Sequence, residues 1–125
     1  MIAILDYGSG NLRSALRAFE TTGREVTLTS DPEIAAKASA LVVPGVGAFG
    51  SCMKGLKSVN GDSVIQERFK SGKPTLGICI GMQILFQTGL EHGNFSGVGV
   101  VGGEVAKLNA PVLPHMGWNT VRIEG

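Results

Sequence analysis

The sequence has 125 residues, of which 43% are hydrophobic and 17% are charged, so it suits one compact domain with a buried core rather than a disordered segment. Eleven basic and ten acidic residues give a formal net charge of +1, and the seven aromatic residues are scattered, which argues against a nucleic-acid-binding surface. The 19 glycines follow no Gly-X-Y repeat, which excludes collagen and indicates tight turns or close backbone approaches.

Signals for membrane insertion, secretion and metal binding do not occur in the sequence. No apolar run approaches the roughly 18 residues that suggest a membrane span, and the first residues lack the basic segment and cleavage site of a secretory signal. Cys52 and Cys79 are too few for a disulfide framework, and no cluster of cysteine and histidine suggests a zinc site. We therefore expect a cytoplasmic domain that needs no metal and no cofactor and associates with no membrane.

The first third of the sequence alternates apolar strands with capped helices. Residues 2–5 predict a strand, and Asn11 is a good N-cap for a helix that ends near residue 22. The apolar face predicted for that helix consists of Leu12, Ala15, Leu16 and Phe19. Residues 26–28 predict a second strand, and the pair Asp31-Pro32 predicts the start of a short helix over residues 34–38.

The alternation continues through the middle of the sequence. The continuous apolar run at residues 41–43 is typical of a strand that is covered on both faces of a parallel sheet. The later predictions are helices at 52–56 and 63–70, a strand at 73–79, a helix at 81–87, and short strands and turns from residue 89 to residue 125. We therefore expect an α/β domain over residues 1–125, with an open and mostly parallel sheet flanked by helices.

A glycine-rich loop, residues 44–50 (PGVGAFG), follows the third predicted strand. Its spacing satisfies the dinucleotide-binding pattern G-x-G-x-x-G. However, it follows the third strand rather than the first, and no acidic residue ends the next strand to bind a ribose hydroxyl. A nucleotide-binding role therefore stays open as an alternative only.

A second glycine-flanked segment, residues 77–81 (GICIG), lies at a predicted strand-to-helix junction. It matches the nucleophile elbow G-x-S-x-G with cysteine in place of serine, so the turn would hold the Cys79 thiol off the strand end. The N-terminus of the following helix favours a thiolate, and the Ile80 N–H would point into the same space. The alternative is that Cys79 is a buried packing residue, as we expect for Cys52.

The two glycine segments have complementary chemistry. A cysteine that attacks an acyl carbon needs hydrogen-bond donors for the developing oxyanion, each worth roughly 3 kcal/mol. Glycine tolerates unusual backbone conformations, so a loop such as Gly45-Val46-Gly47 can turn a peptide N–H toward that oxygen. The spacing and the topology therefore favour an acyl-transfer site shared by the two segments.

Four motifs resemble those of class I glutamine amidotransferases, and among them the glutaminase subunits of imidazole glycerol phosphate synthases, which belong to histidine biosynthesis. These motifs are residues 6–12 (DYGSGNL), 44–49 (PGVGAF), 77–83 (GICIGMQ) and 114–119 (PHMGWN). The resemblance implies hydrolysis of glutamine to glutamate and ammonia. It implies that Cys79 forms a glutamyl thioester and that the backbone of Val46, Gly47 and Ile80 forms the oxyanion hole.

The resemblance also implies a substrate site and a partner. Gln83 and Glu91 match positions that hold glutamine in the family, and Asn11 and Trp118 match positions that face the partner near the ammonia route. That partner is a (β/α)8-barrel cyclase, which receives the ammonia. The alternative roles are that Gln83 is a solvated helix residue and that Trp118 is a core aromatic residue.

The sequence departs from the family pattern in one respect. The family's catalytic His and Glu follow the PHMGWN segment, whereas this sequence ends at Gly125, and neither His92 nor His115 matches the catalytic His. We therefore expect an incomplete domain with an exposed sheet edge and little or no glutaminase activity. The alternatives are a catalytically silent module that binds the partner and a different α/β cysteine hydrolase.

Overall fold

The computed structural model describes all of residues 1–125 and shows strands and helices in alternation. The elements in chain order are β1 (Ile2–Leu5), α1 (Leu12–Glu20), β2 (Val26–Thr29), α2 (Pro32–Lys37), β3 (Ala40–Gly45), α3 (Phe49–Ser58), α4 (Gly61–Lys70), β4 (Thr75–Cys79), α5 (Ile80–Gln83), β5 (Phe86–Gly89), β6 (Phe95–Ser96) and β7 (Val101–Val105). The predicted N-caps are confirmed, because Asn11 accepts a hydrogen bond from Ser14 N at 3.2 Å and Asp31 accepts one from Glu33 N at 2.8 Å.

The main sheet has the strand order β2-β1-β3-β4, and all three pairings are parallel. Alternate residues of β1 point to opposite faces, so Leu5 joins the largest buried cluster while Ile4 is equally buried on the other face. On α1, the only half-buried residues are the four predicted for its apolar face, Leu12, Ala15, Leu16 and Phe19. The open, mostly parallel sheet predicted from the sequence is therefore confirmed.

A buried arginine connects α4, α2 and the start of β4. Arg68 is inaccessible to solvent, and its guanidinium donates hydrogen bonds to carbonyl oxygens at the C-terminal end of α2 and to the oxygen of Pro74. The carbonyl acceptors in α2 and its C-cap are Ala35, Ala36 and Ala38, at 2.8–3.2 Å. One cation thereby satisfies carbonyl groups that the end of a helix leaves without N–H donors.

The segment after Cys79 differs from the prediction. Residues 81–87 do not form a helix, because α5 ends at Gln83 and β5 begins at Phe86. β5 pairs with β6 in antiparallel fashion and with β7 in parallel fashion, in a separate three-stranded sheet. Hydrogen bonds to two distant strands replace the helical bonds that the local apolar spacing favours.

The last strand of the main sheet and the residues after β7 leave apolar side chains exposed. β4 has β3 as its single sheet neighbour, and its side chains Leu76 and Ile78 are 50% and 38% exposed. Residues 106–125 contain no helix or strand, and nearly all of them are exposed. The longest helices, α3 and α4, have ten residues each, and none is long and apolar enough to cross a bilayer.

Candidate active site

Cys79 occupies a strained turn between β4 and α5. Its backbone has φ 58° and ψ −122°, a conformation that residues with a side chain rarely adopt, and its side chain is exposed. The flanking glycines make the turn possible. A β-carbon on Gly77 would lie 2.6 Å from the Gly81 carbonyl oxygen, and one on Gly81 would overlap the carbonyl oxygen of Val43. The Cys79 thiol is therefore held outside the core, as the elbow pattern predicts.

The helix after the elbow is shorter than predicted. Because α5 has four residues, from Ile80 to Gln83, its dipole is weaker than that expected for a helix over residues 81–87. Ile80 is the first residue of α5, so its N–H has no acceptor within the helix. The elbow therefore supplies a local N–H donor beside Cys79, whereas activation of the thiol by a long helix is not part of this structure.

The end of β3 lies beside the elbow. Gly45 pairs with Cys79 in the parallel register, and a β-carbon on Gly45 would lie 2.6 Å from Gly81 N and 2.7 Å from the Tyr7 hydroxyl. The space that the glycine leaves open is thus occupied by protein atoms, which gives Gly45 a packing role rather than a role in approaching a dinucleotide. Val46 and Cys79 line the same cavity, which has a volume of about 310 Å³.

Hydrogen bonds from the side chains of Ser9 and Cys52 hold the loop that follows β3. The Ser9 hydroxyl donates to the Val46 carbonyl oxygen at 2.9 Å and accepts from the Val46 N–H at 3.0 Å. The Cys52 thiol also donates to the Val46 carbonyl oxygen, at 3.2 Å. Of the three predicted oxyanion donors, the Val46 N–H is therefore engaged by Ser9, whereas the Gly47 N–H donates to no group of the chain. Cys52 is 1% exposed, as expected for a packing residue, and its thiol in addition belongs to this hydrogen-bond network.

Tyr7 extends this network to Pro44, two residues before Val46. Its hydroxyl donates a hydrogen bond to the carbonyl oxygen of Pro44. Burial, followed by the proximity of Cys52, raises the pKa of the Tyr7 phenol well above its ordinary value of 10.0, so the hydroxyl keeps its proton at neutral pH. Tyr7 therefore remains a hydrogen-bond donor to the loop.

The residues predicted to hold the substrate surround a different cavity. Gln83 and Glu91 line a space of about 400 Å³, together with His92 and residues near the end of β7. The Glu91 carboxylate lies 3.5 Å from His92 Nε2. Gln83 follows Cys79 by four residues, at the end of α5, and the two side chains line different cavities.

The two residues predicted to face the partner lie in different environments. Asn11 caps α1 and lines the 310 Å³ cavity with Val46 and Cys79. Trp118 is completely exposed in residues 106–125 and lines neither cavity. The structure thus brings Asn11, Val46 and Cys79 together around one cavity, and Trp118 is not part of its lining.

The sequence patterns did not single out Ser9 and Tyr7. Both belong to the 6–12 segment that carries part of the family resemblance, and both bind loop residues 37 positions later in the sequence. The order of the strands could have indicated these contacts, because hydroxyl residues that follow β1 lie beside the end of β3 in a parallel sheet.

Comparison with known proteins identifies the family of the chain. The model of the family "Glutamine amidotransferase class-I" matches residues 3–123. A crystal structure of a glutamine amidotransferase superposes with a TM-score of 0.68 over 82% of this chain and 55% of that one, at 22% sequence identity, which supports the fold.

Curated relatives are closer in sequence. Proteins named imidazole glycerol phosphate synthase subunit HisH are 60% identical over 121 residues in Corynebacterium diphtheriae, 56% over 121 residues in Thermobifida fusca and 54% over 119 residues in Bifidobacterium longum. The matches cover 94–96% of this chain and 55–58% of those proteins. The chain thus spans less than two thirds of the length of these relatives, and it belongs to the class-I glutamine amidotransferase family.

Proposed function

We propose that the chain carries the nucleophile-bearing part of the glutaminase subunit of an imidazole glycerol phosphate synthase. Cys79 would attack the γ-amide carbon of glutamine, form a γ-glutamyl thioester and release ammonia, and water would then release glutamate. The observation that carries this proposal is the exposed thiol on a strained elbow, paired in register with the glycine loop at Gly45. The HisH relatives support the choice of this reaction within the family.

The oxyanion of the tetrahedral intermediate needs donors from both glycine segments. Ile80 follows the nucleophile directly, and its N–H is free of any helical acceptor. From the loop we assign the donor role to the Gly47 N–H in the conformation described, because the Val46 N–H binds Ser9. Loss of one such donor typically costs 10²–10³ in rate.

Gln83 and Glu91 are the proposed groups for the polar end of glutamine. Their cavity of about 400 Å³ has room for an amino acid, and the Glu91 carboxylate suits the α-ammonium group. The amide of Gln83 suits a carboxylate or an amide of the substrate, since it offers both a donor and an acceptor. Glutamine would then extend from this cavity to the Cys79 thiol.

The two histidines of this sequence provide no general base for Cys79. Neither His92 nor His115 lines the cavity that contains Cys79. A thiol without a base forms less thiolate, and the leaving ammonia receives no proton from a positioned acid. We therefore expect little or no steady-state glutamine turnover from these residues alone, although Cys79 should still react with a glutamine-shaped electrophile.

The ammonia would pass to a (β/α)8-barrel cyclase in the cytoplasm. Asn11 lies beside Cys79 at the open end of the sheet, which suits a residue that faces a partner near the ammonia route. Trp118 is fully exposed and offers a large apolar surface to the same partner. Two cysteines without a disulfide agree with a reducing compartment.

The experiment is alkylation by a chloroketone analogue of glutamine, in which a chloromethyl ketone replaces the amide. We expect an adduct at Cys79 and none at Cys52, identified by peptide mass mapping, and no adduct in the Cys79→Ser variant. Gln83→Ala should slow the labelling, whereas Glu67→Ala, at an exposed position of α4 whose side chain makes no hydrogen bond, should leave it unchanged. Labelling of both thiols at similar rates would refute the glutamine site, and an unlabelled chain that still binds a cyclase would identify a silent binding module.

A further inference from the structure

We propose that Ser9 is a positioning residue that, together with Cys52, orients the Val46–Gly47 peptide so that the Gly47 N–H faces the Cys79 thiol. The inference rests on the proposed function, since it concerns the oxyanion donors of that reaction. It assigns a role to two side chains that neither act on the substrate nor belong to the elbow.

The Val46 carbonyl oxygen is held by two donors at once. Ser9 Oγ lies at 2.9 Å and Cys52 Sγ at 3.2 Å from this oxygen, and the two side-chain atoms lie 3.2 Å from each other. The Ser9 hydroxyl also accepts the Val46 N–H at 3.0 Å, so its one proton and one of its lone pairs are used on a single loop residue. Three hydrogen bonds on one residue restrict rotation of the adjoining peptide planes.

The direction of the Gly47 N–H follows from the geometry of the peptide. In a trans peptide the carbonyl and the N–H point in opposite directions across one plane. Cys52 is 1% exposed, so the Val46 carbonyl that it holds points toward the interior. The Gly47 N–H of the same peptide therefore points away from Cys52. Val46, the residue that contributes the other half of this peptide, lines the open cavity that also contains Cys79.

The same loop needs glycine at position 47. Gly47 has φ +91°, which residues with a β-carbon rarely adopt, and nothing lies within 4 Å of the position that a β-carbon would take. Position 47 therefore requires glycine because of its backbone conformation and not because of close packing. The hydrogen-bonded Val46 carbonyl and the positive φ of Gly47 together set the direction of the Gly47 N–H, which has no acceptor in the chain.

The turn that carries Ser9 is packed closely against this loop. Gly10 follows Ser9 with φ +101°, and a β-carbon on Gly10 would lie 2.8 Å from the β-carbon of Pro44. This close approach brings the Ser9 hydroxyl within reach of Val46, across the neighbouring strands β1 and β3. The register of the sheet therefore fixes the distance between Ser9 and the loop.

Two electrophiles separate positioning from accessibility. With the chloroketone, the sulfur adds to the ketone carbon to give an alkoxide that needs oxyanion donors. The sulfur then bonds to the neighbouring carbon as chloride leaves, and the first carbon–sulfur bond breaks as the ketone re-forms. With iodoacetamide, the sulfur displaces iodide directly, and no alkoxide forms. The thiol proton is released to solvent in both reactions. The ratio of the two alkylation rates at Cys79 thus reports on the donors.

The variants are Ser9→Ala, which removes the hydroxyl, and Ser9→Thr, which keeps it. We expect Ser9→Ala to slow chloroketone labelling of Cys79 at least about tenfold, a conservative fraction of the loss of a full donor, with iodoacetamide labelling unchanged within about twofold. Ser9→Thr should restore most of the rate, and Cys52→Ala should cause a smaller loss. Ser58→Ala, which removes an equivalent hydroxyl from the end of α3, is the control and should have no effect.

Each other outcome counts against the inference. Equal chloroketone rates in Ser9→Ala and the unmodified chain would overturn it while leaving the proposed function intact. Parallel losses with both electrophiles, or new labelling of Cys52 by iodoacetamide, would show a general structural disturbance and would also overturn it. Failure of the chloroketone to select Cys79 in the unmodified chain would overturn the proposed function and this inference with it.

Discussion

Gly81 packs directly against the carbonyl oxygen of Val43, so closely that a β-carbon on Gly81 would overlap this oxygen. The contact fixes the turn after Cys79 onto the end of β3. It explains why the elbow ends in glycine, and it sets the position of the thiol relative to the loop that follows β3.

The first prediction concerns this contact. Gly81→Ala should lower the free energy of unfolding by at least about 2 kcal/mol, because the backbone of β3 cannot move away without breaking its pairing with β4. Gly102→Ala, where nothing lies within 4 Å of the added carbon, should change stability by no more than about 0.5 kcal/mol. Urea unfolding followed by circular dichroism measures both, and similar midpoints for the two variants would disprove the packing argument.

The second prediction concerns the buried arginine. Arg68→Met should lower the free energy of unfolding by about 3 kcal/mol, because the carbonyl oxygens of Ala35 and Ala38 would be left without a donor inside the protein. The carbonyl oxygens of Ala36 and Pro74 would each lose one of two donors. Arg17→Met on the exposed side of α1 is the matched control, with an expected change within about 0.5 kcal/mol. If the two variants unfold at the same urea concentration, the guanidinium has no stabilising role.

The third prediction concerns alkaline pH. Burial raises the pKa of Tyr7 above its ordinary value of 10.0, so above that pH the unfolded chain loses the phenolic proton while the folded chain retains it. The contribution of Tyr7 to stability is therefore fully present below pH 10 and falls as the pH rises above it. Tyr7→Phe should be less stable at neutral pH and should show a shallower fall at alkaline pH.

Tyr7 is the only tyrosine of the chain, so its ionisation is directly observable. The near-ultraviolet absorbance of tyrosinate should appear together with loss of the circular dichroism signal, rather than before it. A phenol that ionises near pH 10 in the folded chain would contradict the burial argument. Fluorescence of Trp118 is a poor probe of this unfolding, because the indole is already fully exposed in the folded chain.

The fourth prediction concerns the strain at the elbow. Cys79→Gly should be more stable than Cys79→Ala by about 1 kcal/mol, because both variants lack the thiol and only alanine must keep a β-carbon at φ 58°. Thermal unfolding of the two variants gives the comparison. An alanine variant that is the more stable of the two would mean that the turn is not strained.

Local patterns were sufficient to predict most of the main sheet and its helices. The caps at Asn11 and Asp31 and the apolar face of α1 depend on residues within one or two turns of each other, and all appear as predicted. The prediction of a helix at residues 81–87 was wrong because the spacing of Met82, Leu85 and Phe86 fits a helix. The strand that forms there instead depends on pairing with β7, more than a dozen residues away.

In the candidate site, too, the local features were predictable and the contacts between distant segments were not. The elbow is local, so the pattern at residues 77–81 predicted the exposed position of Cys79. The contacts of Ser9 and Tyr7 with the loop span 37 residues and depend on the pairing of β1 with β3, which short motifs do not encode. For the same reason the binding of the Val46 N–H by Ser9 was not anticipated.

Protection of Cys79 by glutamine is the most direct measurement of whether this thiol belongs to a glutamine site. The rate of chloroketone labelling at Cys79 should fall steadily as glutamine is added, and asparagine, which is one methylene shorter, should protect far less. An unchanged rate at saturating glutamine, or equal protection by both amino acids, would contradict the assignment of Cys79 as the nucleophile of a glutaminase.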